Sequence, residues 1–255
     1  MASNDTIGKT IGVALALCIV CSVVVSTAAV MLKPAQVANK SLDFKRNILA
    51  AAGLLKEGVS VEEQFKQIST KLVDLDTGKF TEVAEGTEKY DQRKMSKVSG
   101  RSIELTGDED VAKISRRVNV AKVYLVENES GVETVILPVK GYGLWSTLYG
   151  FLALGSDLNT VVGLGFYEHA ETPGLGGEVD NPKWKAQWPG KKAYDAEGGV
   201  GLTIVKGTAA ADSEHEIDGL SGATLTSRGV DNLVKFWLGD KGYAGFINNL
   251  KNGEA

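Results

Sequence analysis

The sequence predicts an α+β protein in which a single N-terminal transmembrane helix is followed by one soluble domain with a mainly antiparallel sheet. Three observations support this fold class. Residues 11–32 form an apolar run without a charged side chain. Strand-like patterns dominate from about residue 80 to 210. Helical patterns flank that stretch on both sides, an order typical of α+β domains. We therefore expect a short N-terminal tail over 1–10, a membrane helix over 11–32 and a soluble domain over 33–255.

The apolar run is about 22 residues long, enough to cross a ~30 Å hydrocarbon layer as a helix. A cleavable signal peptide is the alternative, because Ser26-Thr27-Ala28-Ala29 resembles a cleavage site. The length favours an uncleaved anchor, since signal peptides have a shorter apolar core. The flanking lysines leave orientation open. Lys9 precedes the run, whereas Lys33, Lys40, Lys45 and Arg46 follow it, and this count gives a weak preference for a cytoplasmic domain.

Composition excludes several classes of function. The net charge is −4, which argues against nucleic acid as a partner because binding its polyanionic backbone requires a basic face. The two cysteines, Cys18 and Cys21, both lie in the apolar run, so the soluble part has neither a disulfide framework nor a cysteine-ligated metal. His169 and His215 are the only histidines. No hydrolase arrangement is visible, and we expect no metal site and no acid–base residue.

The segments before and after the central strands are predicted as helices. The first covers 42–57. The second begins at a capping box, Ser60-x-x-Glu63, and continues through apolar positions at helical spacing to Leu75. The last helix carries a stripe with the i, i+3, i+4, i+7, i+8 pattern, formed by Val230, Leu233, Val234, Trp237 and Leu238.

The central strands are predicted from short β-branched and aromatic runs. Residues 123–126 and 134–137 flank Glu129-Ser130-Gly131, which indicates a hairpin. Residues 161–166 and 200–205 are predicted as further strands. The polar region 84–97 is expected to be a surface loop or insertion.

The motif Asp218–Thr224, DGLSGAT, lies between a strand-like run and the last helix. Gly222 and Ala223 leave room for a bulky group to approach the backbone. Free N–H groups and the dipole at a helix start favour an anion, so the Thr224 hydroxyl is placed where a phosphate can be held. The alternative is that Thr224, Thr226 or Ser227 simply caps the helix.

Three further segments carry candidate chemistry. In Gly141–Ser146, an aromatic and a leucine between glycines could sandwich a planar ring, or Trp145 could belong to the core or to a surface patch. In Glu168–Gly177, the glycines could press backbone against a flat ring, and Glu168, His169 and Glu171 could act on protons or, improbably, bind a metal. A polar turn at a strand end is the simpler interpretation. Lys206 could neutralise a phosphate or a reduced ring, or be merely solvated.

These segments, in this order, resemble the NqrC family, which comprises the C subunits of bacterial sodium-translocating NADH:quinone reductases. The resemblance covers essentially the whole chain. It is carried by Ile11–Leu32, Gly141–Ser146, Glu168–Gly176 and Asp218–Thr224. The Ser-Gly-Ala-Thr stretch alone would be a weak match, but the leading Asp218 and the upstream Glu171–Gly176 stretch make it specific.

The resemblance implies a one-helix subunit of the bacterial inner membrane with a periplasmic FMN-binding domain, which overrides the lysine count. It implies FMN joined by a phosphoester bond to Thr224 by a separate flavin transferase. The subunit would relay electrons among the redox centres of a six-polypeptide pump that oxidises NADH, reduces ubiquinone and moves Na⁺. Its partners would be the other five subunits, the transferase and membrane lipid. The flavin ring is expected near Leu144, Trp145, Thr172, Gly174 and Leu175, and the phosphate near Lys206, Ser221, Gly222 and Ala223.

Two other interpretations stay open at the level of sequence. The related flavin subunit of the ion-motive ferredoxin:NAD oxidoreductase shares a comparable threonine motif and a single anchor. Leu144-Trp145-Ser146 and the long N-terminal portion favour membership of the quinone reductase. An anchored binding or scaffolding module, in which Thr224 is only a helix cap, would carry no flavin.

Overall fold

The computed structural model describes residues 6–129 and 131–255. They fall into two units, one ending at Asp43 and the other comprising Phe44–Ala255. The helices are α1 Ile7–Ala51, α2 Val61–Phe65, α3 Gln92–Met95, α4 Pro182–Lys185, α5 Thr224–Leu238 and α6 Ala244–Asn252. The strands are β1 Ile68–Asp74, β2 Lys79–Thr81, β3 Ser102–Glu104, β4 Arg116–Val118, β5 Val120–Asn128, β6 Gly131–Tyr142, β7 Thr147–Gly155, β8 Val161–Glu168, β9 Thr203–Ile204 and β10 Glu216–Ile217.

Helix α1 contains the predicted membrane run. Among residues 6–129 and 131–255 it is the one helix long and apolar enough to cross a membrane, and its side chains before Phe44 are exposed. The helix predicted over 42–57 is confirmed over 42–51, but it is the end of α1 and not a separate element, and residues 53–57 are not helical. Helix α1 ends at Ala51 because Gly53 adopts a left-handed conformation, φ +67°, which is the usual way for a helix to stop.

The central sheet has six strands in the order β2-β1-β5-β6-β7-β8. All of its neighbouring strands pair antiparallel, which confirms the predicted α+β class with a mainly antiparallel sheet. The predicted hairpin is the β5–β6 pair, and its Ser130 lies outside the described residues. The strand predicted over 161–166 is the main part of β8.

The long helix predicted from Ser60 to Leu75 is wrong. Ser60 does cap a helix, since its Oγ accepts from the Glu63 amide at 3.2 Å, but α2 ends at Phe65. The chain then enters β1, which pairs along its whole length with β5. Tertiary pairing therefore decides a segment whose apolar residues also fit helical spacing.

Two shorter predictions need correction. The strand predicted over 200–205 is only β9, which pairs parallel with β10. The region 84–97 is more than a surface loop, because it holds α3 and the buried Tyr90.

The sheet is covered by different elements on its two faces. On one face, Ile48 and Leu49 from the end of α1 pack with Ile136 and Phe151. On the other, α5 buries its whole predicted stripe. Trp237 Nε1 donates to the carbonyl of Lys140 at 2.7 Å and so ties α5 to β6. This packing fixes where the first turn of α5 stands relative to the loops at the ends of the strands.

Candidate functional site

Thr224 is the first residue of α5, and its side chain is exposed. The residue that precedes it, Ala223, provides no side-chain cap. The next two hydroxyls of the turn are buried and hydrogen-bonded. Thr226 donates to Glu171 Oε2 at 2.7 Å, and Ser227 Oγ accepts from the Leu220 amide at 2.9 Å. Thr224 therefore does not cap the helix, and it is exposed at the helix start.

Two residues of the preceding turn explain its shape. Gly222 has φ +72°, a conformation that side chains rarely adopt, and a Cβ there would lie 3.1 Å from Leu175 Cδ2. Leu175 is thus brought against the turn that carries Thr224. The Asp218 carboxylate accepts from the Ala209 amide at 2.7 Å, which ties the start of the motif to the neighbouring segment.

Lys206 lies in the segment that runs beside this turn. The Gly219 amide donates to the carbonyl of Gly207 at 2.8 Å. A Cβ on Gly219 would stand 2.5 Å from the carbonyl oxygen of Val205, so only glycine allows this approach. The exposed Lys206 side chain therefore belongs to the same surface as the Asp218–Thr224 motif.

Glu171 joins two of the predicted segments to α5. It is 5% exposed. Its Oε1 accepts from the amides of Leu144, Trp145 and Ser146 at 3.1, 3.0 and 3.3 Å, and its Oε2 accepts from Thr226. Burial alone would raise the pKa of the Glu171 carboxyl, but these hydrogen bonds outweigh burial and lower it. Glu171 is therefore ionised, and its carboxylate connects the 144–146 loop to α5.

The joined elements expose an apolar surface. Trp145 is 66% exposed, and the other large apolar side chains exposed on these elements are Leu144, Leu175 and Leu225. Thr172 and Gly174 are exposed on the same loop as Leu175. A group of exposed large apolar side chains is typical of a binding surface, which makes these loops and the start of α5 a candidate binding site.

The acid–base and metal interpretations of Glu168 and His169 receive no support. Glu168 pairs with Arg93 through two contacts of 2.8 Å, and His169 Nε2 lies 2.8 Å from Asp180 Oδ2. The side chains of Glu168, His169 and Glu171 therefore contact different groups. Across residues 6–129 and 131–255, no group of three or more His, Cys, Asp or Glu side chains could hold a metal ion.

Sequence reasoning missed what Glu171 and Thr226 do. Glu171 was considered only as an acid–base or metal group, and Thr226 only as a helix cap. The glycines around them were the available signal. A Cβ on Gly143 or on Gly176 would lie 2.6 Å from a Glu171 carboxylate oxygen, so these glycines make room for the carboxylate.

The fold is an α+β domain that follows an apolar helix. The family model described as FMN-binding domain matches residues 143–239, which include the 143–146 and 171–176 loops and the start of α5, so the class is that of the flavin-binding domains.

The chain belongs to the NqrC family, the C subunits of the Na⁺-translocating NADH-quinone reductases. It is 53% identical to the C subunit of Pseudomonas aeruginosa over 100% of both chains. It is 51% identical to that of Vibrio alginolyticus over 99% of this chain and 98% of the relative. These full-length relationships favour the quinone reductase over the ferredoxin:NAD alternative.

Two solved structures share the fold. The crystal structure of Shewanella oneidensis NqrC matches with a TM-score of 0.78 and 37% identity, covering 84% of this chain and 99% of that one. The C subunit from Parabacteroides distasonis matches with a TM-score of 0.64 and 26% identity, covering 85% of this chain and 96% of that one.

Proposed function

We propose that this chain carries FMN in phosphoester linkage to Thr224 and relays electrons through it between redox centres of a Na⁺-translocating NADH:quinone reductase. As a member of the NqrC family with an FMN-binding domain, the chain is an electron-transfer flavin subunit of that membrane complex. The observation that carries the linkage is the exposed Thr224 hydroxyl, which begins α5 and does not cap it.

The surroundings of Thr224 suit a phosphate. The first N–H groups of α5 and the helix dipole favour negative charge at this end. Lys206 adds a positive charge from the neighbouring segment, and Gly222 keeps the approach free of a side chain. Ser221 and Ala223 complete the turn in the proposed site. Ser221 is exposed, whereas Ala223 is buried.

The surroundings also suit the ring. Leu144 and Trp145 offer exposed apolar surface from the β6–β7 loop, and Leu175 offers it from the loop after β8. Thr172 and Gly174 line the same loop. FMN supplies the redox chemistry, while the protein contributes binding, orientation and electrostatics. None of these residues needs to act as an acid or base.

We further propose the arrangement in the cell. Residues 11–32 of α1 cross the bacterial inner membrane in contact with lipid, residues 1–10 form a short tail, and residues 33–255 form a periplasmic domain. A flavin transferase attaches the FMN, and five other subunits complete the complex. A covalent tether suits this location because it prevents loss of FMN on the far side of the membrane from where flavin is made.

The test is the mass of one peptide. Cleavage after Lys206 and Arg228 releases residues 207–228, which contain Thr224. In full-length protein made together with a flavin transferase, this peptide should carry the added mass of FMN minus water, and the denatured protein should fluoresce on a gel. Thr224→Ala should abolish both signals. Thr208→Ala changes an exposed threonine in the same peptide and should retain them.

Two results would contradict the proposal. One is an unmodified 207–228 peptide from wild-type protein. The other is a fluorescent Thr224→Ala protein, which would place the attachment elsewhere.

A further inference from the structure

We infer that Glu171 is the positioning residue of the flavin site: its buried carboxylate fixes the loop that carries Leu144 and Trp145 to the first turn of α5, where Thr224 begins the helix. The inference rests on the proposed function for the identity of the ligand. It goes beyond that function because it proposes that one buried side chain sets the relative position of the loop and the helix start.

The two carboxylate oxygens have different partners. Oε1 accepts from three successive amides, those of Leu144, Trp145 and Ser146, at 3.1, 3.0 and 3.3 Å. Oε2 accepts from the hydroxyl of the fully buried Thr226 at 2.7 Å. Thr226 is two residues beyond Thr224 on α5. One side chain therefore links the backbone of the ring-facing loop to the helix turn that carries the proposed attachment point.

The backbone around Glu171 is shaped to admit the carboxylate. A Cβ on Gly143 would lie 2.6 Å from Oε1, and a Cβ on Gly176 would lie 2.6 Å from Oε2 and 2.5 Å from Thr226 Oγ1. The loop is also tied directly, because the Ala170 amide donates to Ser146 Oγ at 2.7 Å. Both glycine-containing motifs therefore close around Glu171, and a side chain at either glycine would displace it.

The chemistry of Glu171 is that of an anchor. Its carboxylate is buried with four donors, which is the condition under which a buried charge is tolerated. Charge-assisted hydrogen bonds are stronger than neutral ones, so the loop amides are held more firmly than by a neutral acceptor. Because hydrogen bonding also lowers the pKa of the carboxyl, Glu171 stays ionised at neutral pH and does not deliver protons to the ligand.

The experiment compares four variants of the full-length, flavin-loaded protein in detergent. Glu171→Ala removes all four contacts. Glu171→Gln keeps an oxygen for the three amides and an N–H₂ that can donate to Thr226. Thr226→Val removes one contact. Glu178→Gln is the matched control, since Glu178 lies in the following 3₁₀ turn and accepts from Asn181 Nδ2 at 2.6 Å.

Two measurements follow each variant. Amide hydrogen exchange of the 143–146 segment reports whether the loop is held. Fluorescence anisotropy and visible circular dichroism of the flavin report whether the ring is held. In Glu171→Ala, exchange should accelerate about tenfold or more, and the flavin signals should fall toward those of a mobile ring. Glu171→Gln and Glu178→Gln should remain within about threefold of wild type in exchange, and Thr226→Val should be intermediate.

The results separate a positioning role from a merely structural one. Wild-type exchange and flavin signals in Glu171→Ala would overturn the inference, and so would a Glu171→Gln variant no better than Glu171→Ala. If Glu171→Ala does not fold, the other two variants decide. Faster amide exchange of the 143–146 segment in Thr226→Val, together with wild-type exchange in Glu171→Gln, supports the inference. Wild-type exchange in Thr226→Val overturns it. Wild-type protein without flavin would contradict the proposed function alone, because hydrogen exchange tests Glu171 without the ligand.

Discussion

Gly229 offers the sharpest test of how α5 is seated. It lies within α5, five residues after Thr224. A Cβ at this position would stand 2.4 Å from the carbonyl oxygen of Tyr142 and 3.0 Å from the Cα of Gly143. Both obstacles are backbone atoms, so no rotamer change can relieve the contact. We predict that Gly229→Ala destabilises the protein and separates α5 from the 141–146 loop.

The magnitude follows from two opposing effects. Alanine is better than glycine inside a helix by about 1 kcal/mol. Overpacking costs about 1–3 kcal/mol, and the upper part of that range applies here because α5 is also tied to β6 through the Trp237–Lys140 hydrogen bond. The net expectation is a loss of about 1–2 kcal/mol in the free energy of unfolding. For a domain of this size, that corresponds to a Tm lower by about 2–8 °C.

The assay is denaturant unfolding of the full chain in detergent, followed by tryptophan fluorescence. All four tryptophans lie between residues 145 and 237, so the signal reports on the Phe44–Ala255 unit. The matched control is Gly245→Ala in α6, where the nearest atom to a new Cβ is the Gly78 Cα at 3.9 Å. That change should be neutral or stabilise by up to about 1 kcal/mol. A Gly229→Ala protein as stable as wild type would refute the reasoning.

Two further predictions concern the neighbouring end of β6. Burial, and after it the positive charge of Arg93, lowers the pKa of Lys140 to about 8. The pKa of an unperturbed lysine is about 10.4, so between these two values the unfolded chain binds more protons than the folded one. The free energy of unfolding therefore rises with pH across this window. Lys140→Met should raise the free energy of unfolding by about 1–3 kcal/mol at pH 7, with the gain shrinking toward pH 10 in urea titrations, and an equal gain at both pH values would contradict the assignment. Trp237→Phe removes a buried donor to the Lys140 carbonyl and should cost about 2 kcal/mol in denaturant unfolding. The exposed Trp145→Phe should change stability by less than about 0.5 kcal/mol, and equal effects of the two changes would contradict the packing described.

Local sequence patterns correctly predicted the elements that are determined by residues close to one another in the sequence. The stripe on α5 repeats with the period of one helix face, and all five of its members are buried. The β5–β6 hairpin joins two strands through a short turn. In both cases the residues that decide the structure stand within a few positions of one another, so the pattern alone contains the answer.

The errors arose where distant pairing decides. From Val61 to Leu75 the apolar residues fit helical spacing, yet Ser69 pairs with Leu125 of β5 and the segment from Ile68 onward is a strand. The sequence does not display that partner. The same applies to Glu171, whose donors come from the 144–146 loop and from Thr226, 55 residues away. The sequence suggested an acid–base role for Glu171, whereas its hydrogen bonds show that it holds the 144–146 loop against α5.

The hydroxyls of α5 show why burial, more than residue type, selects the proposed attachment point. The first turn contains Thr224, Thr226 and Ser227, and by sequence each is a plausible helix cap. Thr226 and Ser227 are buried, and their oxygens are engaged by Glu171 and Leu220. A modifying enzyme could reach either one only by unfolding the turn, which would break the contacts that hold the 144–146 loop. Thr224 is exposed and could be modified without disturbing any of them, so the packing that holds the 144–146 loop against α5 also favours Thr224 as the proposed attachment point.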